Sequence, residues 1–299
     1  MTTGPWGWIV SAFLGLSVGS FANVVIHRSP REGLSSFHPS RSFCPRCGVR
    51  IAWVDNVPVL SWMLLGARCR ACRGSIHWRY PAVELLVGAL FVAAWGWFAP
   101  AAPADLPRVL VAWYLAATCV IVSAIDLEHL IIPDTITYPG MVAGLLASWA
   151  VPSLHAGHPG FDAASPHGSA VVAALIGMLA GAGTLYLVGR LGNVLFARKV
   201  AEAGVSDAMG LGDVKWMALA GAFLGGTQVL SAILLACFAG AGHGLLMRLV
   251  ALARRRPGAP GMPFGPYLAV GLLAEYATPG SPWALDLLQA LVEQIVAAP

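Results

Sequence analysis

Eight apolar runs, each bounded by Pro, Gly or charged residues, dominate this 299-residue chain. Runs that approach the roughly 20 residues needed to cross a bilayer leave few folds open. In lipid every backbone polar group must be satisfied internally, so helices that span are the expected elements. The expected spans are 6–26, 81–99, 108–125, 135–151, 169–188, 214–225, 229–247 and 262–276. Only 11% of residues are charged, against about 25% in soluble domains. A soluble helical protein of this composition would expose large apolar patches. The expected class is an all-α polytopic membrane protein with about eight transmembrane helices.

Charge placement orients it. Nine arginines crowd between Arg28 and Arg79, and most other basic residues cluster at 190–215 and 248–256. Cytoplasmic loops carry the Lys and Arg excess. With the N-terminus periplasmic and eight spans, Arg108 alone of the 18 basic residues falls outside. The first basic residue is Arg28, so no basic region precedes the first run. That run is expected to stay in the membrane instead of being removed as a signal peptide. The sixth run is short and is read as tilted, buried in the bundle, or re-entrant. The domains expected are a first span at 1–26, a cytoplasmic loop at 27–80, a helix bundle at 81–280 and an amphipathic, interfacial tail at 281–299. Gly177 and Gly181, and then Gly221 and Gly225, sit at four-residue spacing, which lets helices approach closely.

The long loop holds two C-x2-C pairs, Cys44 with Cys47 and Cys69 with Cys72. Two such pairs on tight turns can point four sulfurs at one tetrahedral zinc ion. Gly48 suits the first turn. A cytoplasmic setting disfavours disulfides and so favours metal. The alternative is a set of reduced or redox-active thiols. A closed four-sulfur zinc-ribbon-like site is structural, because it leaves no position open for catalysis. Cys119 and Cys237 lie within spans and are read as packing residues.

Ionisable groups at the edges of spans are costly and tend to be functional. Asp126 ends the third span and Asp213 opens the sixth, within Gly210-Leu211-Gly212-Asp213. The topology sets both at one depth on the cytoplasmic side. Two-aspartate hydrolysis needs such a pair: one ionised carboxylate takes a proton from water, and the other, protonated, hydrogen-bonds to the scissile carbonyl. Close carboxylates share a proton and titrate together. Gly210 and Gly212 are expected to clear space beside a substrate strand and to allow a tight turn. Asp213 then lies at a helix N-terminus, where negative charge is stabilised, and Lys215 is close enough in sequence to act the same way. Asp126 as a plain boundary residue and Asp213 as an N-cap are the structural alternatives.

These segments resemble the bacterial type IV prepilin peptidases, aspartyl membrane proteases of the G-x-G-D type. The resemblance runs nearly end to end. It covers Gly19-Ser20-Phe21-Ala22-Asn23-Val24-Val25-Ile26, the double C-x2-C loop with Asn56-Val57-Pro58-Val59-Leu60-Ser61-Trp62, and Arg79-Tyr80-Pro81-Ala82-Val83-Glu84. It continues through Ile125-Asp126, Pro133-Asp134, Gly210 to Lys215, and Pro263-Phe264-Gly265-Pro266. Ala22 and Ser29 replace residues that are usually larger and apolar. The resemblance implies Asp126 and Asp213 as the catalytic pair, with Asp134 as a further acidic residue. It implies a prepilin or type II secretion pseudopilin substrate, cut after the Gly that ends a basic leader at the cytoplasmic face of the bacterial inner membrane. It also implies N-methylation of the new terminus with S-adenosylmethionine as methyl donor. No Gly-rich methyl-donor fingerprint is visible, and Glu84 and Gly88 are the candidates for that site. Membrane lipid is an expected partner and nucleic acid is not. Competing readings are a presenilin-like protease, a proton-coupled transporter, which would carry its acids near the midplane, and a non-enzymatic assembly factor.

Overall fold

The computed structural model describes residues 5–31, 33–35, 41–98, 105–198, 207, 209–254 and 262–296. Among these, the regular elements are helices, with two isolated β-bridges. The helices are α1 (Pro5–Arg28), α2 (Leu60–Leu64), α3 (Arg79–Phe98), α4 (Leu106–His129), α5 (Asp134–Ala150), α6 (Pro166–Leu195), α7 (Leu211–Leu224), α8 (Gly226–Ala253), α9 (Gly265–Ala277) and α10 (Trp283–Val296). Five of them, α1, α3, α4, α6 and α8, are long and apolar enough to cross a membrane. The chain divides into two compact units, Met1–Ile125 and Asp126–Pro299. The division falls inside α4, whose last turn belongs to the second unit.

In the first unit α1 and α3 run antiparallel. Gly7 of α1 lies against Trp95, Gly15 against Gly88 and Phe91, and Gly19 against Glu84, so the order reverses along the pair. A Cβ on Gly15 would sit 2.8 Å from the Gly88 Cα. Glycine is therefore needed on α1 for the two backbones to touch. The α4 helix joins them through Trp113, which stacks on Phe91 with ring centroids 5.0 Å apart and donates its indole N–H to the Phe91 carbonyl at 2.9 Å.

The second unit is built around α7, which is buried from Trp216 to Leu224. Its 14 residues span about 21 Å, short of the roughly 30 Å hydrocarbon core. The sixth run is buried within its unit, as one of its three readings expected. The glycine spacing explains how: a Cβ on Gly177 of α6 would run into the Gly221 carbonyl of α7, and one on Gly221 into the Gly177 carbonyl. Gly181 meets the Met217 carbonyl in the same way. Gly225, at φ 77°, ends α7 with its N–H on the Gly221 carbonyl at 2.8 Å, and α8 begins at the next residue. A left-handed residue of this kind is what glycine supplies cheaply. The tail forms α10, fastened by the Ala284 N–H, which donates to Ser231 Oγ at 3.2 Å, while Ser231 donates to Glu275 Oε1 at 2.6 Å.

Candidate active site and cysteine module

Asp126 is buried in the last turn of α4. Its Oδ2 accepts the backbone N–H of Gly265 at 2.7 Å. The local sequence explains that donor. Gly265 opens α9, so its N–H has no carbonyl partner within the helix, and Pro266 in the same turn brings no N–H of its own. A Cβ at position 265 would lie 2.8 Å from Oδ2, so only glycine brings its amide this close. Asp213 sits in the first turn of α7, with its N–H on the Gly210 carbonyl at 3.1 Å. It is close enough to Asp126 for the two charges to act on each other. The N-cap is Gly210, not Asp213.

The glycines beside Asp213 serve packing and not turn geometry. Gly210 has φ −67° and ψ 134°, open to any residue, and neither it nor Gly212 has positive φ. A Cβ on Gly210 would press to 3.1 Å from Asp213 Oδ2, and one on Gly212 to 3.1 Å from the Ile132 Cβ. Ile132 belongs to the turn that follows Asp126, so the bare face of Gly212 lets that turn settle against the start of α7. Lys215 does not turn toward Asp213. Its Nζ pairs with Asp134 Oδ1 at 2.5 Å and lies 5.4 Å from the Tyr138 ring centre. Residues two apart on a helix point to different sides, which separates Lys215 from Asp213.

In the first unit the four cysteines converge: their Sγ atoms all lie within 4.8 Å of one another. Cys44 and Cys72 are 4.0 Å apart. Tetrahedral Zn–S bonds of about 2.3 Å need sulfurs about 3.8 Å apart, so the set fits one ion. The two knuckles are built alike. The Cys44 N–H bonds the Val49 carbonyl and the Cys69 N–H the Gly74 carbonyl. Gly48 and Arg73 each close a turn on the first cysteine at positive φ, 71° and 57°. The bridges Phe43–Arg50 and Arg68–Ser75 flank them. N–H groups of Cys72 and Ala71 hold the Cys69 thiol down at about 7, which favours the thiolate that binds metal, while desolvation and the neighbouring Cys44 and Cys72 thiols push Cys47 up to about 11.

Between this module and the helix pair lies a cavity of about 530 Å³, whose wall includes Asn23, Arg28, Trp62, His77, Tyr80 and Glu84. Glu84 Oε2 accepts the Val59 N–H at 2.7 Å, and Asn23 donates to the Tyr80 carbonyl at 3.0 Å. Gly88 is one turn further along α3, against Leu16 and Gly15 of α1. It serves the helix contact and not the cavity wall.

Two family profiles match this chain. The bacterial peptidase A24 N-terminal domain matches residues 13–98, and the type IV leader peptidase family matches residues 113–245. A prepilin leader peptidase/N-methyltransferase of Myxococcus xanthus is 37% identical over 95% of this chain and 77% of its own length. The chain belongs to the type IV leader peptidase family. Proteins of the same name from Aeromonas salmonicida (35% identical, 89% of each chain) and Klebsiella pneumoniae (37%, 78% of this chain and 92% of that one) are also similar. No solved structure matches.

Two features of this leader peptidase family member escaped sequence reasoning. The motif 263–266 was visible, but its bond to Asp126 was not; the signal was a Gly-Pro helix start, whose first N–H needs an acceptor from elsewhere. The second is a buried polar cluster at the far end of α7. His155 is fully buried, with Nε2 2.9 Å from Ser148 Oγ, which itself lies 3.0 Å from the Ala222 carbonyl. The His158 ring lies tilted beside it, with centroids 5.4 Å apart. Burial, then the nearby His158, pushes His155 down to about 4. Both histidines lie in what the sequence presents as an ordinary polar loop.

Proposed function

We propose that this chain is a prepilin leader peptidase and N-methyltransferase of the bacterial inner membrane, with Asp126 and Asp213 as its hydrolytic pair. One observation carries the reading: one carboxylate oxygen of Asp126 is fixed by the Gly265 N–H, and the turn that follows Asp126 packs through Ile132 against Gly212, the residue beside Asp213 in the first turn of α7. The ionised member takes a proton from water as the water oxygen attacks the scissile carbonyl. The protonated member gives its hydrogen bond, and then its proton, to that carbonyl oxygen. Collapse of the tetrahedral intermediate expels the new N-terminal amine, which receives the proton held by the first carboxylate. Gly210 leaves room for the Asp213 carboxylate, and Gly212 for Ile132 in the turn after Asp126. Asp134 and Lys215 form an ion pair that braces the adjoining helix starts.

The substrate is a prepilin or pseudopilin with a basic leader that ends in Gly, cut at the cytoplasmic face. The N-terminus is periplasmic, and residues 27–80 form a cytoplasmic module between the first span and the bundle at 81–280, with 281–299 at the interface. Cys44, Cys47, Cys69 and Cys72 hold a structural zinc ion. The cavity beside Glu84 receives S-adenosylmethionine, which supplies the methyl group when bound. The Glu84 carboxylate offers charge to a cationic donor, and Gly88 supports the helix beneath it. The test is cleavage of a prepilin by purified wild type and Asp213→Asn, read by mass with and without S-adenosylmethionine. A leader-sized loss in wild type alone, with a methyl added when the donor is present, is expected. Equal cleavage by Asp213→Asn would overturn the pair.

A further inference from the structure

The cysteine module carries an apolar edge that is left exposed among the described residues. In α2, Leu60, Met63 and Leu64 are exposed, with Leu64 at 78%. They recur at the spacing that lines one helix face. Ser61 and Trp62 face the other way: Ser61 Oγ donates to the Val54 carbonyl at 3.0 Å and the Trp62 indole donates to Ile76 at 3.1 Å. The Ser61 bond holds the 3-10 turn Trp53–Asn56 beside α2. Trp53, the most exposed of these side chains at 83%, extends the apolar edge together with Val54 and Val57.

The depth of that edge is fixed by one bond. Val59, the residue before α2, donates its N–H to Glu84 at 2.7 Å. Glu84 lies five residues into a spanning helix that starts at Arg79, roughly 7.5 Å along its axis. To make this bond Val59 adopts φ 59°, a costly conformation for a β-branched residue. The start of α2 is therefore drawn down to the margin of the apolar layer, where interfacial helices bury their apolar faces about 5–10 Å deep. Charge agrees. Residues 27–80 contain nine arginines against Glu32 and Asp55, and Asp55 is taken up by Arg70 at 2.6 Å. Arg46, Arg50, Arg68 and Arg73 are exposed. A cationic module beside an apolar edge is complementary to an anionic leaflet, and repels a basic leader peptide.

We infer that the module is a surface-bound membrane element, with Trp53, Leu60, Met63 and Leu64 seated in the headgroup–acyl boundary of an anionic phospholipid leaflet. The seat keeps the mouth of the Glu84 cavity at the bilayer surface.

The full chain, labelled with fluorotryptophan, is placed in nanodiscs of phosphatidylethanolamine and phosphatidylglycerol. The Trp53 fluorine resonance is assigned by its loss in Trp53→Phe. Expected is strong broadening of this resonance by lipid carrying a doxyl label near the headgroup, with little effect from a water-soluble paramagnetic agent. Broadening by the soluble agent alone would overturn the proposal, since it leaves the edge in water. Protection from both would also overturn it, because a second copy or another protein surface would then cover the edge. Methyl-labelled Met63, assigned with Met63→Leu, reads the same depth independently if Trp53→Phe folds poorly.

Discussion

Gly265→Ala is a one-methyl change that should separate positioning from folding. The added Cβ would lie 2.8 Å from Asp126 Oδ2, 3.1 Å from its Cβ and 3.2 Å from its Cγ. Ordinary contacts of that kind start near 3.4 Å. The carboxylate must therefore retreat by roughly 0.5–1 Å, and its bond to the Gly265 N–H lengthens with it. A displacement of about 1 Å at a reacting group costs on the order of 10²-fold in rate, or about 2.7 kcal/mol of barrier. The loss is expected in kcat for leader cleavage, with KM nearly unchanged, because the methyl meets the carboxylate that we propose takes part in hydrolysis. Initial rates on a prepilin in detergent or nanodiscs, read by mass, give both constants. Methylation of an already cleaved pilin should be unaffected, which shows that the variant is folded. Wild-type kcat in Gly265→Ala would refute the claim that this amide positions Asp126.

Cys44→Ser should reduce bound zinc in purified protein and lower the melting temperature, and unchanged zinc by elemental analysis would remove the four-sulfur site. Gly221→Ala puts a methyl against the Gly177 carbonyl and should destabilise the fold by about 1–3 kcal/mol or more, the cost of overpacking, seen as a lower unfolding temperature in detergent. His155 makes stability fall with acidity. Its folded value is about 4 against an ordinary 6.5, so between those pH values the unfolded chain binds a proton that the folded chain refuses. Stability is full above about pH 6.5 and declines toward pH 4 by about 3 kcal/mol. The decline should flatten in His155→Gln, measured by unfolding at stepped pH.

The sequence by itself determined the solvent and the cysteine site, and it singled out the acids that we propose as the hydrolytic pair. A deficit of charge and repeated apolar runs leave lipid-spanning helices as the only way to satisfy the backbone. Two C-x2-C pairs encode their turns locally, with Gly48 supplying the left-handed residue of the first. The aspartates were legible because a carboxylate at a membrane edge has few structural reasons to be there. Tertiary structure decided the rest. Lys215 and Asp213 are neighbours in sequence, yet the helical rotation between them sends the lysine to Asp134. Gly210 and Gly212 were expected to allow a tight turn and to clear space beside a substrate strand, and the atoms they make room for are the Asp213 carboxylate and Ile132. The burial of the short sixth run could not be read from its own residues, because it depends on Gly177 and Gly181 of another helix meeting its carbonyls. The bond from Gly265 to Asp126 joins residues 139 apart in the chain, and no local pattern encodes a distance of that kind.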